Sequence, residues 1–369
     1  MKNILVLADI SVAKNGASKV TNRLVELLGQ HYRVRVVDTA IFTKSSSRFL
    51  RKICIYIREA FKIRASIFRR HAEGARDCFL YLQMGGMATT LIQILFLKIV
   101  SSQVTKSNIF LHHHSSKAIK SGGFFVSFTY RQIIKLGTSI YLTPGMRHQA
   151  EVKFGKHQNV IISNAASISV SGDDLLDIRL ESLAATNFNL IHFGTLSKEK
   201  GTLKVIELSE TLATKFSNAK AYIFGYSNDD ETRITLEKYR QPEGKIFYHG
   251  SYSFDELLFL REKIGLFLFL SNYEHEAAPL VIYEAMSLGC VPIVNDSGYC
   301  LEIIQGRGYR IYEGSDLRIQ INELFEKLMT EPKNFEIFKQ LRADNFESLK
   351  LEKAQAERDL LNLFGIQLK

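Results

Sequence analysis

Apolar residues along the chain fall into two kinds of stretch. Short, nearly continuous runs alternate with longer ones in which apolar positions recur every three or four residues. The first kind reads as buried strands, the second as helices covering them. In the first half the strands are Ile4–Ala8, Arg33–Val37, Phe79–Gln83, Ile109–His112, Ser139–Leu142 and Val160–Ile162, with helices over about 18–28 and through the Met87–Val100 run. From Ala165 to about Thr186 the pattern lapses into Ser, Asp, Gly and Ala, as a linker would. It restarts with strands at Asn189–Phe193, Ala221–Phe224, Lys245–Tyr248, Leu266–Leu270 and Val291–Val294. Helices are expected from Thr202, near Phe254–Glu262, after Pro279 and near Asp316–Leu328, and a charged helical tail from about Phe335 to Phe364. Apolar strands alternating with helices predict parallel sheets covered on both faces. The expected fold class is α/β, with two Rossmann-like doubly wound domains facing a cleft. The expected domains are 1–168 and 187–345, with a C-terminal helix, 346–369, returning toward the first.

Composition agrees with a chain that folds around its own cores. Its 369 residues are 46% apolar with only five prolines, which excludes disordered, collagen-like and low-complexity classes. Cys54, Cys78, Cys290 and Cys300 form no CxxC pair and have no companion histidine spacing, so neither structural zinc nor a disulfide framework is expected. A reducing, cytoplasmic compartment follows. The opening run Ile4-Leu5-Val6-Leu7 is too short for a signal peptide. The longest apolar run, Met87–Val100, is interrupted by Gln93 and Lys98 and falls short of the roughly 20 residues that span a bilayer.

Charge changes the picture more. Residues 1–180 carry 26 Lys and Arg against 10 Asp and Glu, whereas residues 181–369 carry 22 against 28. A basic half calls for a polyanionic partner. Between Lys44 and Arg70 nine basic residues stand with one acid, Glu59. Phe49, Ile53, Ile57, Ala60, Phe61, Ile67 and Phe68 recur there at helical spacing, beside Arg51, Lys52, Arg58, Lys62, Arg69 and Arg70. This is the pattern of an amphipathic helix on an anionic membrane surface, where each basic residue adds about 1 kcal/mol. A helix packing its stripe on its own domain is the plainer alternative. Nucleic acid is not expected as a partner, since no recognisable binding motif is present.

In open parallel sheets ligands sit beyond the carboxyl ends of the strands. The block Ser271-Asn272-Tyr273-Glu274-His275-Glu276-Ala277-Ala278-Pro279-Leu280-Val281-Ile282-Tyr283-Glu284 follows a strand and opens a helix, with Pro279 suited to the first helical position. Glu276 in the loop and Glu284 in the second turn are placed to accept hydrogen bonds from sugar hydroxyls. Two solvated carboxylates near a helix start are the plainer reading. The run His112-His113-His114 ends a strand; neighbouring side chains diverge, so the three cannot share one metal ion.

The continuation Ser287-Leu288-Gly289-Cys290-Val291-Pro292-Ile293-Val294 makes the block resemble the signature of retaining GT-B glycosyltransferases of family 4. His192-Phe193-Gly194-Thr195-Leu196-Ser197-Lys198-Glu199-Lys200-Gly201 is similar to that family's donor-phosphate loop, and Tyr141–Met146 and Ile161–Ala165 to its first-domain landmarks. The resemblance implies that Gly16 belongs to an N-terminal glycine loop, Glu284 holds the donor ribose, and Glu276 with Ala277 and Ala278 holds the donor sugar. Gly194, Thr195, Pro279 and Leu280 join the donor site, and Lys200 neutralises the diphosphate leaving group. One histidine, His112 or His114, contacts donor sugar or acceptor. Thr195 departs from the family, which usually has arginine there; Lys198 or Lys19 are candidates to compensate. A UDP- or GDP-sugar donor, no cofactor or metal, and a lipid- or polymer-linked saccharide acceptor are implied, in cell-envelope polysaccharide (lipopolysaccharide or capsule) assembly, peripheral on the inner membrane face. The rivals are a sugar-nucleotide epimerase of the same fold and a membrane-bound homologue without turnover.

Overall fold

The computed structural model describes residues 3–8, 16–38, 57–58, 60–62, 64–65, 78–84, 96–100, 104–168, 188–241, 243–312 and 314–367. They divide into unit 1, Met1–Ser167 with Lys353–Lys369, and unit 2, Ile168–Glu352. Among the described residues no helix is long and apolar enough to cross a membrane.

Unit 1 is built on six parallel strands: β1 (Asn3–Ala8), β2 (Arg33–Asp38), β3 (Cys78–Met84), β4 (Ile109–His113), β5 (Thr138–Tyr141) and β6 (Asn159–Ile161), in the order β2-β1-β3-β4-β5-β6. Helix α1 (Gly16–Gly29) lays Leu24, Leu27 and Leu28 on Ile4, Val6 and Phe79. The short α2 (Lys117–Ser121), α3 (Phe124–Ile133) and α4 (Pro144–Phe154) follow β4 and β5. Thr143 caps α4 by accepting the Met146 N–H at 3.2 Å, with Pro144 in the first turn, where a missing N–H costs nothing. Ala165 and Ala166, read from sequence as the start of a linker, are buried in a 3-10 turn of this unit, and Ala166 is part of its core.

Unit 2 repeats the plan with β7 (Leu190–Leu196), β8 (Ala221–Ser227), β9 (Ile246–Gly250), β10 (Leu266–Phe269), β11 (Val291–Asn295) and β12 (Tyr309–Ile311), all parallel, in the order β12-β11-β10-β7-β8-β9. The connecting helices are α5 (Thr202–Lys215), α6 (Asp230–Glu237), α7 (Phe254–Leu258), α8 (Leu280–Ser287), α9 (Cys300–Ile304) and α10 (Leu317–Thr330). Helix α7 starts with a Ser253/Glu256 capping box but is shorter than the expected 254–262, because bonds to the third residue back take over at Leu260, Arg261 and Lys263.

The tail is one 32-residue helix, α11 (Pro332–Leu363). In unit 2 its Arg342 is buried and donates to the carbonyls of Gly289 (2.7 Å) and Ile264 (2.8 Å). In unit 1 Phe364, just past its end, meets Phe79 and Phe110 edge-on at 5.5 and 4.7 Å, and Tyr32 donates to the Phe364 carbonyl at 2.5 Å.

Candidate functional site

In the second sheet the chain winds outward in both directions from the β7–β10 junction, a topological switch point, so a ligand crevice is expected beyond the carboxyl ends of those two strands. The β7–β10 ladder covers two residue pairs, Leu190–Leu266 and Ile191–Phe267. One residue further on, the buried His192 side chain bridges the strands, its Nδ1 donating to the Leu268 carbonyl at 2.8 Å. A carbonyl only accepts, so the proton sits on Nδ1 and Nε2 accepts from the Thr202 hydroxyl at 3.1 Å. Thr202 Oγ1 in turn accepts the Ser197 N–H (3.1 Å), and Ser197 Oγ accepts the Lys200 N–H (3.1 Å). Burial pushes the His192 pKa down to about 4, which keeps this relay neutral and intact at pH 7. Gly201 lets the loop lie against β10: a Cβ there would stand 1.9 Å from the Leu270 oxygen, and its φ of +77° suits glycine.

The loop so fixed presents Lys200, which forms an ion pair with Glu276 and lies 4.7 Å from the centre of the Tyr273 ring. Glu276 is 6% exposed and also accepts from Ser271 Oγ at 3.2 Å. The neighbouring loop after β11 supports it from behind. Asn295 donates to the Ser271 carbonyl (2.8 Å), Ser297 to the Tyr273 carbonyl (2.9 Å), and Gly298, at φ +60°, abuts Glu276 so closely that a Cβ would stand 2.1 Å from its oxygen. None of Thr202, Asn295, Ser297 or Gly298 was singled out from the sequence, and His192 and Ser271 stood there only as the first residues of their motifs, without a role. The one signal available was the Asn-Asp-Ser-Gly turn after the Val291–Val294 strand.

Glu284, 5% exposed, sits in the second turn of α8, and its charge adds to the burial that raises the Tyr252 pKa. Both carboxylates are therefore buried, which removes the solvated reading. Ala277, Ala278 and Leu280 are buried beside them, and Gly194 comes within reach of Val281. Pro279 does not open α8: with ψ at 119° it takes the extended N-cap position, and the helix begins at Leu280. Thr195 is exposed on β7. Lys198 pairs with Glu231 at 3.0 Å on the surface, and Asp229 caps α6, accepting the Thr232 N–H at 2.8 Å.

In unit 1, β4 ends in the histidine run. His112 and His114 share one side, their ring centres 4.0 Å apart, while His113 stacks on Tyr141 at 4.8 Å and 13°. The Tyr81 hydroxyl, which burial keeps protonated, shares a hydrogen bond of 2.6 Å with His112 Nδ1, across the ring from Nε2. That atom, His114 Nε2 and both His113 nitrogens are buried with no hydrogen-bond partner among the described residues. Burial drives the pKa of His113 to about 3, that of His114 to about 4 and that of His112 well below its usual value. The run is therefore a buried one, with His112 and His113 at 4% and 1% exposure, and not a set of surface histidines at a strand end. Among the described residues no group of three or more His, Cys, Asp or Glu is placed to hold a metal ion.

Gly16 opens α1 and is exposed; Lys19 lies on the same helix. Both belong to unit 1, and the Lys200 loop belongs to unit 2. Of the basic stretch, Arg58 and Lys62 are exposed and helical, whereas Arg51, Lys52, Arg69 and Arg70 lie outside the described residues. The apolar stripe is not a single face there, since Ala60 is buried and Phe61 is 54% exposed.

Residues 178–341 match the family described as glycosyl transferases group 1. Over its length the chain is similar to HepE of Anabaena, solved in complex with UDP-glucose (15% identity, TM-score 0.63, 98% of this chain and 100% of that one). It is similar also to sucrose-phosphate synthase of Thermosynechococcus elongatus (12%, 0.62, 98% and 100%) and to WaaG, a glycosyltransferase involved in lipopolysaccharide biosynthesis (13%, 0.61, 98% and 99%). No curated protein matches the chain significantly. The segment that contains Lys200, Glu276 and Glu284 is thus similar to the glycosyl transferases group 1 family, and the two Rossmann-like sheets are those of the GT-B fold.

Proposed function

We propose that this protein transfers a sugar, with retention of anomeric configuration, from a UDP- or GDP-sugar to a lipid-linked or polymer-linked saccharide in cell-envelope polysaccharide assembly, at the inner face of the membrane. The observation that carries the reading is the Lys200–Glu276 pair at the switch point of the second sheet, inside the segment matching group 1. A buried carboxylate paired with a lysine in the absence of donor becomes, with donor, a hydroxyl acceptor beside a cation for the diphosphate. Glu284, one helix turn into α8, takes the ribose hydroxyls. Backbone amides at the start of α8 complement Lys200 in meeting the charge of the leaving group, so that no metal is required. The likeness to HepE directs the first trial to UDP. One histidine, His112 or His114, contacts donor sugar or acceptor, and the basic stretch around Arg51, Lys52, Arg58, Lys62, Arg69 and Arg70 attracts anionic lipid.

Calorimetry with UDP, GDP, ADP and CMP tests the reading. One nucleoside diphosphate is expected to bind, and Lys200→Ala and Glu284→Ala each to weaken it by about tenfold to a hundredfold. Thr195, exposed and uncharged where an arginine is usual in the family, favours one second reading, a membrane-bound homologue without turnover. Absence of binding by all four nucleotides removes the donor site and leaves that reading standing.

A further inference from the structure

We propose that the outward face of α3 docks on an anionic lipid bilayer, inserting Phe124, Phe125 and Phe128 among the acyl chains while Lys117, Lys120, Arg131 and Lys135 lie at the headgroups. The inference deepens the membrane-side part of the proposed function by naming the surface, and it is distinct from the stretch between Lys44 and Arg70. The three phenylalanines are 80%, 83% and 56% exposed. Nowhere else among the described residues do two such exposed large apolar side chains fall within one helical turn. A contiguous apolar patch of this kind marks an interaction surface.

The face is held, not frayed. Tyr130 and Ile133 on the opposite side of α3 are buried, and Tyr130 stacks on Phe154 of α4 at 5.2 Å. Arg131 donates to the Lys153 carbonyl at 3.0 Å, and Lys153 Nζ donates to the carbonyls of Ala118 and Ile119 at 3.1 and 2.7 Å, which ties α2, α3 and α4 together. Charge selects the occupant. Residues 104–156 carry eight Lys and Arg against one acid, Glu151, which lies on α4, so aromatic side chains are flanked by cations alone. Helix α2 begins three residues after His114, so this surface follows directly on the strand end that carries the histidine pair.

The chain contains no tryptophan, so Phe124→Trp and Phe125→Trp each supply a single reporter. In phosphatidylglycerol/phosphatidylcholine vesicles their emission is expected to shift blue and to be quenched by brominated acyl chains, with no change for a control Phe259→Trp. Triple replacement of Phe124, Phe125 and Phe128 by Ser is expected to weaken vesicle co-sedimentation about a hundredfold and to leave nucleotide affinity, the check on folding, unchanged. Lys117→Glu with Lys120→Glu is expected to remove the preference for anionic over neutral vesicles. If the triple variant sediments like wild type while charge reversal at Arg51, Lys52, Arg58 and Lys62 abolishes binding, the α3 assignment is overturned and the membrane reading stands. If wild type binds no vesicle, both fall. A dimer that the triple variant dissociates, with no vesicle binding, makes the face a contact between copies and also overturns the proposal.

Discussion

At the carboxyl end of the first sheet, β4 delivers three neutral histidines into aromatic surroundings; at the carboxyl end of the second, the loops after β7 and β10 deliver a lysine and a carboxylate in contact. Both ends sit on parallel sheets and both are largely buried, yet burial acts differently in each. Where no counter-charge is near, desolvation keeps a titratable group in its neutral form, and unit 1 presents uncharged imidazoles that donate or accept a hydrogen bond but carry no charge. Where a lysine and a carboxylate arrive together, they pair, and the surrounding polar groups orient them. The lesson is that one architecture provides a neutral hydrogen-bonding edge in one unit and a charged, exchangeable pair in the other. A donor diphosphate needs the second kind of edge, and a sugar hydroxyl can use either.

Acid should break this comparison with the largest effect. In the folded chain His113 and His114 stay neutral down to about pH 3 and 4, and His112 lower than its usual range, while in the unfolded chain they protonate near 6.5. Between those limits the unfolded state binds more protons, so stability is present above pH 6.5 and is lost as pH falls toward 4. Unit 1 loses three such contributions, and unit 2 loses that of His192 together with a smaller one from His249, exposed on β9. Urea midpoints measured across this window should fall steeply for wild type, and His113→Phe should flatten the slope by about one proton. Equal slopes would show that His113 is not held neutral by burial.

Replacing the cation sharpens the comparison from the other side. Lys200→Met should lower sugar-transfer turnover by about a hundred- to a thousandfold, the usual loss for one preorganised donor, with the chain still folded. His113→Phe should leave nucleotide affinity unaltered, since that ring stacks on Tyr141 in unit 1. A smaller effect is expected from behind the charged pair. Gly298→Ala would drive a Cβ against the Glu276 backbone at a position with φ +60°. It should cost about 2 kcal/mol of stability in denaturant titration and weaken donor binding by displacing the loop, whereas no residue of unit 1 should respond.

Much of this was legible in the chain itself. Eleven of the twelve strands were readable, most of them as apolar runs, whereas the three-residue β12 (Tyr309–Ile311), with Arg310 at its centre, was not; Lys200, Glu276 and Glu284 were readable because they follow strand ends in a recognisable order. The His192–Thr202–Ser197 relay was not, since its meaning depends on two parallel strands separating at the switch point, where a side chain takes over from the backbone ladder. Pro279 was expected inside α8 and instead precedes it, because the preceding loop is anchored by Ser271, Asn295 and Ser297 in a way the local sequence does not reveal. Ala165 and Ala166 read as linker because small residues carry little apolar signal; in the fold their size is what lets a 3-10 turn lie in the core of unit 1. The α3 phenylalanines passed unnoticed in a sequence with 25 of them, since aromatic residues are buried by default and only the packing of Tyr130 and Ile133 turns these three outward.

The sequence by itself determined the alternation of apolar strands and helices, the charge contrast between the halves and the positions of the two carboxylates and the lysine after their strands. These are consequences of local periodicity and composition. Tertiary structure decided which groups meet: that Lys200 pairs with Glu276 seventy-six residues away, that three adjacent histidines divide between two sides of a sheet and lose their charge, and that one helix shows its phenylalanines to solvent. Desolvation and pairing depend on neighbours distant in the chain, and no local pattern encodes them.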